Sequence, residues 1–441
     1  MHSLKEIQLL CNKQFKLNFK GGELSSDGGL LMIKEFLVAL GIEKLIKDDF
    51  KTQDTASFRI HKDQDNLLQM IYQIFGTYYE DNCADELRKD PVMSAILGKE
   101  ALASQPTISR FFNRMDDSTL RQFDAIMCEL RKKVYSIKRP EYVLFDIDTT
   151  LLPTYGKQEG EGFNYHYQAH GYHPILCYDG LTGDLLRAML RDGTDYCSKD
   201  SAEFMKPLIS EYRKLYPSIQ MYARGDSGFA APELYDLFED NDVKYAIRLK
   251  INKTLMSEAQ DKTEALMTVA VHNAVDYAVT YGEFMYKAGS WRSERRVIFK
   301  IEKPANQLNF MYTFIVTNMK MEPYKVLSYY CNRGRMENFI GECKDGFDFA
   351  SVSSKSKVVN ANRLQLHALV YNIFNLFRRL VLPAQMRKHL IDTVRLKLLK
   401  IATKVVRSSR YIKFNLCSSC PYKEEVFQIF ENIWQLKVQL E

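Results

Sequence analysis

Between residues 139 and 250 the chain alternates β-rich and helical runs in an order that few folds accommodate. Tyr142-Val143-Leu144-Phe145-Asp146-Ile147-Asp148 follows a break at Arg139-Pro140 and reads as a strand ending in acids. Tyr165 to Tyr178 and Leu185 to Leu190 read as two more strands, joined by the turn Tyr178-Asp179-Gly180-Leu181-Thr182-Gly183-Asp184. A helix is expected over 199–216, where Phe204, Leu208, Ile209, Tyr212 and Leu215 share one face. Ile219 to Asp226 is a fourth strand, again ending in an acid. Pro232 to Glu239 is a helix and Tyr245 to Leu249 a fifth strand.

Three strands joined by hairpins, then strands alternating with helices, is the mixed-sheet pattern of an α/β, ribonuclease H-like core. Around it the sequence divides into a helical N-terminal domain (1–138), the first part of the core (139–250), a β-rich insertion (251–320), the second part of the core (321–382) and a basic helical C-terminal segment (383–441). In the first block, Leu30, Leu31, Ile33, Phe36 and Leu37 recur at helical spacing after Ser25-Ser26-Asp27, an expected N-cap; Leu67, Leu68, Ile71, Ile74 and Phe75 form a second such stretch. Tyr277 to Phe284, Arg295 to Ile301 and Phe310 to Val316 alternate like antiparallel strands, and 323–344 and 361–380 read as helices.

With 441 residues, 46% of them hydrophobic, the chain can bury a large core, which excludes a disordered class. The longest apolar stretch, Ala368 to Phe377, is broken by Asn and falls short of the ~20 residues that span a bilayer, so no membrane partner is expected. Met1-His2-Ser3-Leu4-Lys5-Glu6 opens no secretory leader, and nine scattered cysteines suit free thiols in a reducing, cytoplasmic setting. Cys417-Ser418-Ser419-Cys420 lacks the second pair a zinc ribbon needs. Phe163 to His173 holds His166, His170 and His173; a zinc cluster is conceivable, but a strand and turn is the plainer reading.

The net charge of +6 permits nucleic-acid binding without demanding it, so its distribution matters more. From Arg387 to Lys413 nine Lys or Arg face one acid, Asp392. Leu390, Ile391, Val394, Leu398, Ile401 and Val405 recur at helical spacing, so a helix is expected from which Arg395, Lys397, Lys400 and Lys404 fan out toward phosphates or solvent. Ser104 to Arg114 reads as a short helix carrying Arg110 and Arg114 one turn apart, either DNA-facing or plain surface.

Asp148 and Asp226 stand at the ends of strands that this fold sets side by side, which suggests a divalent-cation site for Mg²⁺. Asp146 shares a strand face with Asp148 and is the alternative ligand. A third acid is offered by Tyr330-x2-Arg333-x3-Glu337-x6-Lys344; at about 100° per residue all four share one helical face. An ion-pair ladder would look the same. Glu342 points away from that face.

The Tyr-x2-Arg-x3-Glu-x6-Lys spacing resembles the motif of a branch of bacterial insertion-sequence DDE transposases; Asp148-Thr149-Thr150 and Arg224-Gly225-Asp226-Ser227 look like its two aspartate motifs. Gly22 to Leu31, Tyr79 to Asp85, Ala103 to Phe111 and Arg395 to Ile401 resemble flanking segments of the insertion-sequence group numbered thirteen-eighty. The resemblance covers residues 20 to 415 and implies a transposase that cuts at the ends of an element and joins them to target DNA. It implies two Mg²⁺ ions, with Mn²⁺ able to substitute, on Asp148, Asp226 and Glu337. It gives Tyr330, Arg333 and Lys344 to the DNA backbone, and the helical block 1–138 to DNA binding. Trp291, among Lys287, Arg292, Arg295 and Arg296, would hold a flipped base or else pack the insertion. The implied partner is double-stranded DNA, as terminal inverted repeats and target, bound by a homodimer at the bacterial nucleoid. A nuclease or resolvase that cuts without joining, and a catalytically silent DNA-binding derivative, are the alternatives; the intact acid set argues against the last.

Overall fold

The computed structural model describes residues 6–56, 58–272, 277–305, 307 and 309–440; the amino-terminal residues 1–5, read above for a leader, lie outside them. The chain divides into two compact units. One comprises Met1–Ile137, Gly346–Asp348 and Leu369–Glu441, the other Lys138–Asp345 and Phe349–Ala368. Among the described residues no helix is long and apolar enough to cross a membrane.

The second unit is built on a mixed sheet of eight strands: β1 (Tyr142–Thr149), β2 (Ile175–Asp179), β3 (Leu185–Met189), β4 (Gln220–Gly225), β5 (Lys244–Leu249), β6 (Ala278–Tyr286), β7 (Arg295–Lys303) and β8 (Met311–Thr317). Their order across the sheet is β6-β7-β8-β5-β4-β1-β2-β3. β4 is parallel to both β1 and β5, while β2 and β3 run antiparallel as hairpins. Val143 to Ile147 are all buried, the continuous run of a strand covered on both faces. Helix Ser201–Leu215 packs on one face, its Tyr212 ring 5.4 Å from Phe145. Tyr329 of helix Pro323–Cys331 packs against Tyr222 on the other.

The block at 251–320 opens with two helices, Lys253–Glu258 and Gln260–His272, and its three strands then extend the main sheet from β5. The single strand expected over Tyr165 to Tyr178 is instead a turn and two strands, with a further short strand just before them. Gly162–Asn164 and Ala169–Tyr172 pair in a small separate sheet with Leu152–Pro153, and only Ile175–Asp179 joins the main one. Asn164 makes the break: its Oδ1 accepts from the His166 and Tyr167 amides and holds 165–168 in a turn. The continuous helix expected over 323–344 is also interrupted. Helix Pro323–Cys331 gives way to a 3₁₀ turn, Asn332–Gly334, before helix Arg335–Phe347 begins. A 3₁₀ turn advances about 120° per residue, so the single column drawn for Tyr330, Arg333, Glu337 and Lys344 does not hold.

In the first unit, helices Leu30–Ala39, Ile42–Asp49, Asp63–Phe75, Pro91–Leu97, Gln105–Asn113 and Asp117–Ile137 are joined by Lys423–Leu440 from the far end of the chain. Ser25-Ser26-Asp27 is not the cap expected for the first of these. The N-cap is Gly29, and the buried Asp27 carboxylate accepts from Lys400 Nζ at 2.7 Å and the Tyr78 hydroxyl at 2.9 Å. Gly28 and Gly29 lie hard against the backbone of 398–403: the Gly28 amide donates to Ile401 O and the Gly29 amide to Leu399 O. A Cβ on Gly29 would stand 1.9 Å from the Leu398 carbonyl oxygen, so only glycine fits.

The basic C-terminal helix is not formed. Residues 391–399 make a short helix and a π turn, and a β-hairpin of Thr403–Arg407 and Ile412–Leu416 follows, paired at its edge with Leu24–Ser25. The β-branched Thr403, Val405, Val406 and Ile412 favour strand over helix there.

Candidate active site

The parallel pairing of β1 and β4 aligns Asp146 with Arg224 and Ile147 with Gly225, which brings Asp226 alongside Asp148 at the strand ends. The two acids of β1 thus have different tasks. Asp146 is fully buried and accepts two 2.6 Å bonds from Arg224, whose third nitrogen donates to the Tyr329 carbonyl. The guanidinium also lies 5.1 Å from the Tyr329 ring. Asp146 is therefore a buried counter-ion and not the alternative ligand, because both of its oxygens are taken by Arg224.

Asp148 keeps one oxygen on the Thr149 amide at 2.9 Å and gives the other to Arg333 Nη1 at 2.8 Å. Burial pushes its carboxyl above the usual range; Arg333 opposes this, and the charge of Asp226 adds to it. Asp226 begins the turn after β4 and accepts from the Gly228 amide. Burial works against the Arg333 charge, but Asp148, Tyr330 and Asp226 outweigh it and hold the guanidinium firmly protonated. Tyr330 is half-buried against the cluster of Ala246, Ile298, Ile315, Met319, Val326 and Leu327. Lys344 is half-buried too, and burial lowers its ammonium pKa.

Glu337 lies in the first turn of helix Arg335–Phe347 and is exposed. Among the described residues no three His, Cys, Asp or Glu side chains stand together as a metal would need. Asp148 and Asp226 alone fit a hard divalent cation: two oxygen donors sit at adjacent strand ends, and their repulsion is what a cation relieves. Glu337 does not complete that set in this arrangement. The histidine stretch makes no cluster either. His170 faces Glu161, and the buried His173 meets the Asp195 carbonyl at 2.7 Å.

Two residues beside the acids carry no sequence signal. The Tyr167 hydroxyl donates to the Thr149 carbonyl at 3.3 Å. Burial chiefly, with the charges of Asp148, Cys197 and Asp226, pushes its phenol up to about 12. The Cys197 thiol lies 3.5 Å from the Thr149 hydroxyl. Only the fold brings these loops to β1.

Trp291 is 7% exposed, packed against Tyr235 and Tyr286 with the Arg295 guanidinium 5.5 Å from its ring. It offers no open face, although it helps line a cavity of about 380 Å³ with Tyr196, Ser227, Lys250 and Asn252. In the other unit, Arg110 is exposed, but Arg114 is bound to Asp63 at 2.6 Å and to Thr52. Arg395 is 2% exposed and donates to the carbonyls of Ile74, Phe75 and Gly346, and Lys400 is held by Asp27 and Gly76 O. The expectation that these two fan out toward phosphates is corrected: their charges serve the interior. Lys397 leans over the Tyr422 ring, and Lys404 is exposed. All nine cysteines are free thiols.

The family model described as transposase DDE domain, group 1, matches residues 7–438. No curated protein matches. Among solved structures, the chain is similar to one titled as the cryo-EM structure of piggyBac transposase synaptic complex with hairpin DNA. The identity is 14%, with 84% of this chain and 80% of that chain covered and a TM-score of 0.39.

Proposed function

Because the chain belongs to the transposase DDE domain group 1 family, we propose that it cuts DNA at the ends of an insertion sequence and joins those ends to target DNA. We place it in the Tyr-Arg-Glu-Lys branch, in the group numbered thirteen-eighty, on the motifs given above. The order β3-β2-β1-β4-β5, with β1, β4 and β5 parallel, supports a ribonuclease H-like core to which β8, β7 and β6 are added. The observation that carries the reading is the register of β1 against β4, which sets Asp148 beside Asp226 under Arg333.

Asp148 and Asp226 would hold Mg²⁺, with Glu337 the third ligand by its place in the motif. Bound there, the metal supplies Lewis-acid activation of the attacking oxygen and charge relief at the leaving one. The protein's own groups position the strand. Arg333, already at the acids, can exchange Asp148 for a phosphate and bind it bidentately. Tyr330 steadies Arg333, and Lys344 adds a point charge further along the helix. A flipped base would enter the cavity beside Ser227 and Trp291 rather than lie on an open tryptophan face. Arg110, Lys397 and Lys404 are assigned to duplex DNA, and two copies to the DNA complex.

The test is a strand-transfer assay on duplexes carrying the element's ends in Mg²⁺. Asp148→Asn, Asp226→Asn and Glu337→Gln should each lose cutting and joining while still binding DNA, and EDTA should stop the wild type. Cutting that survives all three substitutions, or survives chelator, refutes the reading. Cut ends that never join make the protein a nuclease.

A further inference from the structure

We propose that the hairpin Thr403–Leu416 is a DNA-reading ribbon that lies in the major groove and leads with Arg410. The inference rests on the transposase reading for its partner, but its observations belong to the first unit alone. Over 403–416 there are four cations, Lys404, Arg407, Arg410 and Lys413, and no acid.

The register sorts them. Thr403 and Val405 are buried, with Phe414 and Leu416 opposite them half-buried, so this face packs inward. Arg407 lies on the same side of the pleat and pairs with Glu23 at 3.3 Å. The other face shows Lys404 opposite Asn415 and Val406 opposite Lys413, all exposed. Lys404, Arg410 and Lys413 have no ion pair among the described residues.

The tip is stiff. The Ser408 amide and hydroxyl both donate to the Tyr411 carbonyl, and the Tyr411 amide donates back to the Ser408 hydroxyl. Ser409 and Arg410 therefore cap a closed turn, with Tyr411 66% exposed beside them. At its base the Cys417 amide donates to Ala402 O, and the Val405 amide to Glu23 O. A braced two-stranded ribbon, cationic on its free face and at its end, fits one polyanion geometry well. A major groove of about 12 Å admits such a ribbon, and an arginine at its end reaches guanine edges. Lys404 and Lys413 would meet the flanking phosphates.

The experiment measures binding of the full chain to its end duplex across a salt series, for wild type and for Lys404→Ala/Arg410→Ala/Lys413→Ala. The two lost phosphate contacts, of Lys404 and Lys413, should lower the slope of log affinity against log salt by about 1.8, and the lost base contact of Arg410 should weaken binding at every salt concentration. Between about 50 and about 200 mM salt the wild type then loses roughly 12-fold more affinity than the variant. All three sites are exposed, so an unchanged melting temperature will show that the variant is folded. An unchanged slope overturns the inference, as does a change seen only with the single strand. If the variant's slope falls but the wild type neither cuts nor joins DNA, the ribbon stands and the transposase reading fails. If the wild type cuts and joins while the slope is unmoved, only the ribbon fails.

Discussion

The pair Asp146–Arg224 separates a buried structural acid from the proposed metal ligand, Asp148, two residues away. In Asp146→Asn the guanidinium keeps its burial, 2% exposed, but loses its counter-ion. No room exists for another: a Cβ at Gly180 would already stand 2.2 Å from Asp146 Oδ2. Breaking a buried pair by removing one partner costs about 3–5 kcal/mol. For a unit of this size each kcal/mol shifts the melting temperature by about 2–4 °C, so a drop of roughly 6 to 20 °C is expected. Replacing both members, Asp146→Leu with Arg224→Met, should recover most of it, because apolar groups of similar volume need no counter-ion. Asp148→Asn should melt within about 3 °C of wild type, since its site is partly open to solvent. The assay is calorimetry on all four proteins, alongside strand transfer. Should Asp146→Asn melt within about 3 °C of wild type, Asp146 is no buried anchor and the assignment of the two acids must be reversed.

Three further outcomes are expected. Gly29→Ala should destabilise the protein by at least about 1–3 kcal/mol, since its new carbon meets backbone, whereas Gly341→Ala, with open space around it, should be neutral or stabilising; equal melts would refute the close approach. Arg333→Ala should bind Mn²⁺ in the absence of DNA up to about fivefold more tightly, as seen by calorimetry, because the guanidinium holds a ligand oxygen; weaker binding would show that it helps to build the site. His173, whose pKa burial lowers, contributes stability that is complete above its unfolded value of about 6.5 and is lost as pH falls through the folded one; His173→Gln should flatten the decline in urea stability from about pH 7 to about pH 5, and an identical decline would assign it elsewhere.

The order of strands around the acids was legible because alternation, turn residues and terminal aspartates coincide between 142 and 249. The break at Asn332–Gly334 was not. Arg333 bonds Asp148, 185 residues away, and no local pattern carries that pairing. The C-terminal segment misled because Leu390 to Val405 satisfies a helical period while crossing a π turn and entering a strand. The β-branched run after Ile401 was the better signal. Arg395 and Lys400 looked like surface charge because their acceptors, the carbonyls of Ile74, Phe75 and Gly76, lie more than 300 residues earlier. Glu337 rests on its motif spacing alone, since the structure does not bring it to Asp148 and Asp226.

The seam that joins Gly28 and Gly29 to Leu399 and Ile401 bears on how the chain is made. A ribosome adding about 5–20 residues per second delivers residue 401 roughly 20 to 70 s after residue 29. Until then the first helices have neither the strand that braces them nor helix Lys423–Leu440. The sheet that carries Asp148 and Asp226 closes from segments that emerge in between. A message cut short before codon 395 would thus yield the acids while the first unit lacks its closing hairpin and its last helix. Such a fragment would expose the apolar face of Leu30–Ala39 and call on chaperones, and full-length synthesis becomes a checkpoint on competence.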